Sequence, residues 1–205
     1  MIKRIIFDID NTLIINKKEF VNYYRSLFED NSMERVLKLN AIIDEYDDIE
    51  DIYSEEQLLK FINKKMNTNY DISFVKKIIQ LVGETWISKI DTSVFEYLSK
   101  KYELYALTNW FTAAQVNRLK KSGIYKYFTK VIGADMVNKK PNKEAYLMAS
   151  NNLNMDECVF IGDNPPKDLD IPYEMGARVI FFNTENKYDR DYETINDLKQ
   201  LKDIL

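Results

Sequence analysis

Five short runs along the chain are apolar on consecutive positions and rich in β-branched and aromatic residues: 2–9 (IKRIIFDI), 103–109 (ELYALTN), 130–135 (KVIGAD), 158–163 (CVFIGD) and 177–183 (ARVIFFN). Continuous rather than alternating hydrophobicity over so few residues predicts strands covered on both faces, with KVIGAD the weakest. Elsewhere the apolar positions change to helical spacing. They do so in SVFEYLSKKY, in TAAQVNRLKKSG with Gly123 as its stop, in NKEAYLMASNNL, in the stretch leading to Gly176, and in the final TINDLKQLKDIL. Strand alternating with helix predicts an α/β fold: a Rossmann-like three-layer core whose parallel sheet carries helices on both faces.

One interval breaks the alternation. The first two strand patterns are separated by far more chain than a crossover helix needs, and residues 16–90 hold no strand pattern. Phe20, Tyr23, Tyr24, Leu27 and Phe28 recur there at helical spacing, as do the apolar residues of DISFVKKIIQLVGETWISKI. The division that follows is a core of residues 1–15 and 91–205 with a helical cap domain, 16–90, inserted after the first strand. Within the insert, DEYDDIEDIYSEE is strongly acidic but lacks the glycine and ligand spacing of an EF-hand loop. It reads as a solvated helix face or loop, with a docking site for a basic partner as the other reading.

Composition narrows the chemistry. The 205 residues are 45% hydrophobic and 13% aromatic, which suits a packed core. Histidine is absent, which removes histidine triads, histidine metal sites and imidazole acid–base catalysis together. Acid–base work therefore falls to carboxylates. The single cysteine, Cys158, stands in the apolar CVFIG, so no intramolecular disulfide or cysteine metal cluster can form and the thiol is expected in the core. The five glycines form neither GxGxxG nor a P-loop. A formal charge of −4 gives no footprint for a nucleic acid polymer or an anionic membrane surface. Asp8 and Asp10 interrupt the apolar amino-terminal run, which does not read as a secretory signal, and no stretch approaches the roughly 20 apolar residues of a membrane helix. A cytoplasmic setting is expected, with the oligomeric state left open.

Four polar groups stand where strands end or helices begin, which is where open α/β sheets place their sites. The first strand ends in Asp8-Ile9-Asp10-Asn11-Thr12. Positions i and i+2 of a strand point the same way, so both carboxylates face one site if strand geometry persists through Asp10. The second ends in Thr108 and Asn109, either an ordinary capping turn or a hydroxyl and backbone amides that take an anionic oxygen. Lys139 and Lys140 precede Pro141, which biases Lys140 toward extended backbone. Neighbours in an extended segment point in opposite directions, so one lysine faces Asp8, and its place before the proline selects Lys140. The strand CVFIGD delivers Gly162 and Asp163, followed by Asn164, two prolines, Lys167 and Asp168. This is either a turn capped by Asp168 or a carboxylate group that a cation must neutralise, and hard oxygen ligands suit Mg²⁺.

Taken in order, IIFDIDNTL, ALTN, KKP and FIGDNPPKD closely resemble the four motifs of the haloacid dehalogenase-like hydrolases, the aspartyl-phosphate phosphatase superfamily, and the insert resembles the family's cap. LTNWFTAAQVNRLKKSGI and KKPNKEAY are most similar to its nucleotidase-like branch. The resemblance implies a Mg²⁺-dependent phosphomonoester hydrolase acting on a small phosphorylated metabolite, a nucleoside 5'-monophosphate among the candidates. It implies that Asp8 is the nucleophile that becomes phosphoaspartate, and that Asp8, the Asp10 carbonyl and Asp163 hold the metal with Asp168 behind them. Asp10 would protonate the leaving oxygen and later deprotonate water, Lys140 would offset charge, and Thr108 with the Asn109 amide would bind the phosphoryl group. Dehalogenases of this superfamily lack the second acid of the first motif and need no metal, so Asp10, Asp163 and Asp168 favour phosphoryl transfer. A phosphosugar mutase and a non-catalytic phosphate-binding or scaffold protein remain alternatives. Trp110 stands where the family often has glycine, either contacting the leaving group and setting specificity or packing against the cap. If the motifs converge on one phosphate, the strand ending at Asp8 lies between those ending at Thr108 and Asp163. The insert is then expected to select the substrate and gate the site.

Overall fold

The computed structural model describes residues 1–15, 21–85 and 90–205. The apolar runs form β1 (Arg4–Phe7), β2 (Glu103–Leu107), β3 (Lys130–Ile132), β4 (Cys158–Gly162) and β5 (Arg178–Phe182), joined by an edge strand, β6 (Glu193–Ile195). They make one sheet in the order β3-β2-β1-β4-β5-β6, with every neighbouring pair parallel. The strand before Asp8 therefore lies between those before Thr108 and Asp163, as the motifs require. Each ladder stops short of its polar end, which leaves Asp8, Thr108, Asn109 and Asp163 outside the pairing at the carboxyl edge.

The helices are α1 (Val21–Tyr24), α2 (Met33–Ile49), α3 (Glu55–Met66), α4 (Ile72–Gly83), α5 (Ser93–Leu98), α6 (Thr112–Lys121), α7 (Lys143–Ser150), α8 (Pro165–Asp168), α9 (Asp170–Glu174) and α10 (Leu201–Ile204). Successive side chains of β1 alternate, so Ile5 and Phe7 enter one core layer and Ile6 the other. The first layer takes Val94, Phe95 and Leu98 of α5, Leu119 of α6 and Leu201 of α10. The second takes Ala145, Tyr146 and Ala149 of α7, together with Cys158. Burial raises the Cys158 thiol to about 11, consistent with its expected place in the core. Gly123, with φ of +81°, closes α6 where its sequence predicts.

Between β1 and α5 the described residues form helices and turns without a strand. α2, α3 and α4 bury Val36, Leu39, Leu58, Ile62, Val75 and Ile78 in a third cluster that also takes in Phe111, Ala114 and Ala134 from beside the sheet. Two backbone bonds tie this unit down: Tyr53 N–H to the Ala134 carbonyl at 2.7 Å and Lys139 N–H to the Asp51 carbonyl at 2.6 Å. Tyr23 and Tyr24 pack in that cluster, whereas Phe20 lies outside the described residues.

The carboxyl-terminal pattern TINDLKQLKDIL departs from a single helix. Its first residues extend the sheet, with Ile180 paired to Glu193 and Phe182 to Ile195, before a turn capped by Asp197 and the short α10. An open edge at β5 and β-branched Thr194 and Ile195 outweigh the helical spacing of the leucines. The stretch leading to Gly176 is likewise two short helices, α8 and α9. No helix among the described residues is long and apolar enough to cross a membrane.

Candidate active site

The site begins where β1 stops. The Asp8 N–H bonds to the Ile161 carbonyl at 2.8 Å, which holds Asp8 at the centre of the carboxyl edge. The chain then turns, with Leu13 and Ile14 N–H groups both 2.9 Å from the Ile9 carbonyl and Asn11 at φ of 62°, a left-handed conformation that asparagine tolerates. Strand pairing does not persist through Asp10. The turn brings Asp10 to the same cleft as Asp8 instead.

Lys140 Nζ donates to Asp8 Oδ1 at 2.6 Å and to Asp168 Oδ1 at 2.7 Å, with its side chain 4% exposed. Lys139 Nζ sits elsewhere, 3.9 Å from Asp47 of α2, so the two lysines diverge, although the backbone here makes a turn closed by the Asn142 N–H on the Lys139 carbonyl rather than an extended run. Asn109 secures Lys140: its Oδ1 accepts from the Lys140 N–H and its Nδ2 donates to the Lys140 carbonyl, both at 2.8 Å. The Asn109 side chain is therefore a clamp on the lysine. Burial opposes the Lys140 charge, but Asp168 and Asp8 together outweigh it and hold the ammonium above its usual range. Burial raises Asp8 well above the carboxylate range, the charge of Asp168 adds to this, and Lys140 opposes it.

The turn after β4 supplies the other acids. A Cβ on Gly162 would lie 2.4 Å from Asp168 Cβ, so only glycine lets Asp168 close against the strand end. Asp168 Oδ2 accepts from the Asn164 N–H at 3.0 Å, and Thr12 donates to Asp163 Oδ1 at 3.3 Å. Burial, with the Asp168 charge adding, pushes Asp163 up to about 6. Oxygens of Asp8, Asp163 and Asp168 lie within 4.8 Å of one another, and the buried Asn164 Oδ1 has no hydrogen-bond partner among the described residues. Three crowded carboxylates for one ammonium, all hard oxygen donors, fit a hard divalent cation.

Two residues that sequence reasoning passed over complete the floor. Arg118 Nη1 donates to Asp10 Oδ1 at 2.7 Å, and Gln115 Nε2 donates to Asp10 Oδ2 at 2.7 Å and to Thr108 Oγ1 at 2.9 Å. The available signal was polarity at i and i+3 on the face of α6 that also carries the buried Leu119.

The opposite wall comes from the insert, where Tyr24, Ile43, Asp44, Asp47 and Val82 close a cleft of about 290 Å³. The stretch DEYDDIEDIYSEE is largely the solvated helix face and loop expected, with Asp44, Glu45, Asp48 and Asp51 exposed, but Asp44 and Asp47 also line the cleft, and Asp47 accepts from the Tyr53 hydroxyl. Helix α2 runs through that stretch as far as Ile49, and its periodicity turns those two acids toward the cleft rim. Trp110 packs against the cap and also faces the cleft. Its ring stands edge-on to Tyr53 at 5.6 Å, and its indole N–H has no partner among the described residues.

A parallel sheet with its acids at the switch point, roofed by inserted helices, defines an α/β protein with a carboxylate-lined cleft at the carboxyl edge of its sheet. The chain belongs to the haloacid dehalogenase-like hydrolase family, whose model matches residues 5–182. It is 27% identical over 203 residues to the pyrimidine 5'-nucleotidase PynA of Streptococcus pneumoniae, covering 88% of this chain and 84% of that one. It is 25% identical over 240 residues to the glyceraldehyde 3-phosphate phosphatase of Methanothermobacter thermautotrophicus, covering all of both. Among solved structures it resembles the HAD-hydrolase YfnB of Bacillus subtilis bound to magnesium, with a TM-score of 0.70, 19% identity, and 99% and 98% of the chains covered. A 2-haloacid dehalogenase of Pseudomonas syringae is similar at a TM-score of 0.73, 20% identity, and 100% and 98% covered. At those identities the two structures establish the fold alone.

Proposed function

We propose that this hydrolase is a Mg²⁺-dependent phosphomonoesterase of small phosphorylated metabolites, with a nucleoside 5'-monophosphate as its substrate class. The observation that carries the reading is the acid set: Asp8, Asp163 and Asp168 crowd around one ammonium, with a further acid, Asp10, two residues from Asp8. A dehalogenase needs neither a cation nor a proton carrier at these positions.

In the proposed reaction an Asp8 oxygen attacks phosphorus and the bond to the leaving oxygen breaks, its electron pair staying on that oxygen. Asp10 supplies the proton that makes it a hydroxyl. Water then attacks the phosphorus of the aspartyl phosphate and Asp10 takes its proton. The bond to Asp8 breaks, releasing inorganic phosphate. Lys140 stays beside Asp8 and offsets charge building on the phosphoryl oxygens, which the Thr108 hydroxyl and the Asn109 amide bind in this reading; both residues line the cleft. Asp8, Asp163 and the Asp10 carbonyl would hold Mg²⁺, which would supply the neutralisation an anion needs to approach a phosphate dianion.

Residues 16–90 act as the cap that reads the leaving group in this proposal. Trp110 offers a flat face and an indole donor, Tyr24 a hydroxyl, and Asp44 a carboxylate able to accept from a base amine such as that of cytosine. The name of the Streptococcus relative supports a pyrimidine nucleotide.

The test is phosphate release from CMP, UMP, glyceraldehyde 3-phosphate and a hexose phosphate, run beside chloride release from 2-chloropropionate. Phosphate release from the nucleotides is expected, lost on chelation and in Asp8→Asn. Metal-independent chloride release would move the reading to a dehalogenase. Phosphoryl transfer between sugar positions without phosphate release would move it to a mutase.

A further inference from the structure

We infer that Gln115 and Arg118 are positioning residues that lock the proton carrier Asp10 and the phosphate-facing Thr108 into one unit; this rests on the phosphatase reading above. The two stand three residues apart on one face of α6, and both are fully buried. A buried guanidinium needs compensation, and Arg118 Nη1 finds it in Asp10 Oδ1 and Gln115 Oε1, each at 2.7 Å.

The bond to Oε1 decides which way the Gln115 amide faces. With its carbonyl on Arg118, its NH₂ must point to the other side, where it reaches both Asp10 Oδ2 and Thr108 Oγ1. Two consequences follow. The Asp10 carboxyl group receives a donor on each oxygen from two directions, which sets its rotation relative to Asp8. Thr108 Oγ1 already accepts from Gln115, so its own proton is turned toward another acceptor, on the side where phosphoryl oxygens would lie.

Packing does not ask for these residues. Leu119 on the same helix already enters the core, and a buried ion pair is a poor source of stability compared with aliphatic side chains of similar volume. What the pair supplies is orientation.

The experiment compares two esters in saturating MgCl₂. An alkyl phosphate such as β-glycerol phosphate needs its leaving oxygen protonated, whereas 4-nitrophenolate leaves without a proton. Because kcat/KM covers only steps up to departure of the leaving group, Asp10→Asn is expected to lose far less kcat/KM on 4-nitrophenyl phosphate than on the alkyl ester. Arg118→Met should show the same split, losing roughly 100-fold on the alkyl ester and less than about 5-fold on the aryl one. Arg118→Lys should recover part of the loss. The Asp10→Asn/Arg118→Met double variant should be no worse than Asp10→Asn alone, because the arginine acts through Asp10. Equal losses on both esters, or additive losses in the double variant, reduce Arg118 to packing and overturn the inference. If Arg118→Met does not fold, Gln115→Leu takes its place: because Gln115 also holds Thr108, it should lose activity on both esters but more on the alkyl one, and equal losses overturn the inference. Wild-type protein that releases phosphate from neither ester overturns the phosphatase reading, and the inference with it, whereas activity without the split overturns the inference alone.

Discussion

Lys140 serves two carboxylates from a position almost closed to water, and that makes it the residue whose loss is felt most widely. Removing one partner from a buried ion pair leaves the others uncompensated, so Lys140→Met should cost about 3–5 kcal/mol in chelator, read as the midpoint of urea unfolding. Lys139→Ala removes a 3.9 Å contact to Asp47 and a mostly buried stem and should cost about 1 kcal/mol, well below Lys140→Met. A larger effect at Lys139 than at Lys140 would reverse the assignment. Cys158 makes a separate point about burial. Its thiol, raised to about 11 from an ordinary 9.0, carries almost no thiolate at pH 8, so labelling by a disulfide reagent should wait for unfolding in urea. Between those two values the folded chain holds the proton that the unfolded chain has released, so this group's contribution to stability falls as pH rises through that window. Rapid labelling of the native protein at pH 8 would place the thiol outside the core.

At the scale of elements, the turn from β4 into α8 is the joint that builds the acid cluster. Gly162→Ala would set a Cβ 2.4 Å from Asp168 Cβ and 2.5 Å from its Oδ2. The substitution should therefore push Asp168 off Lys140 and cost roughly 1–3 kcal/mol, with a clear drop in turnover. A variant that unfolds at the wild-type urea midpoint with full turnover would show that the joint has slack. The neighbouring helix α6 was legible as a helix from its spacing and its glycine stop. Its chemistry was not, because polar residues at i and i+3 on a core-facing helix look the same in sequence whether they meet solvent or a carboxylate. The edge strand β6 was hidden for a related reason: the leucines that follow it carry helical spacing, and pairing to β5 depends on an open edge that no local pattern records.

For the molecule as a whole, the proposed metal couples chemistry to stability. A cation bound by the native acid cluster and not by the unfolded chain stabilises in proportion to the logarithm of its saturation, about 2.7 kcal/mol at 100 times the dissociation constant. MgCl₂ should thus raise the melting temperature of the wild type and lose most of that effect in Asp163→Asn; an equal rise in both would detach the cluster from metal binding. The insert shows how far local reading extends. Its helices and apolar stripes were evident in the sequence, yet the placement of Asp44 and Asp47 on the cleft was not, since it depends on how α2 rotates once Tyr53 and Asp51 bond to the loop after β3. By itself the sequence determined the strand and helix alternation, the acids at the strand ends, the choice of Lys140, and the absence of any imidazole. Those follow from periodicity and from immediate neighbours. Only the tertiary structure decided that Arg118 meets Asp10 across 108 positions of chain and that Asp44 and Asp47 of the acidic stretch reach the cleft. Such meetings are set by the packing of whole elements, and nothing in the neighbourhood of either residue encodes them.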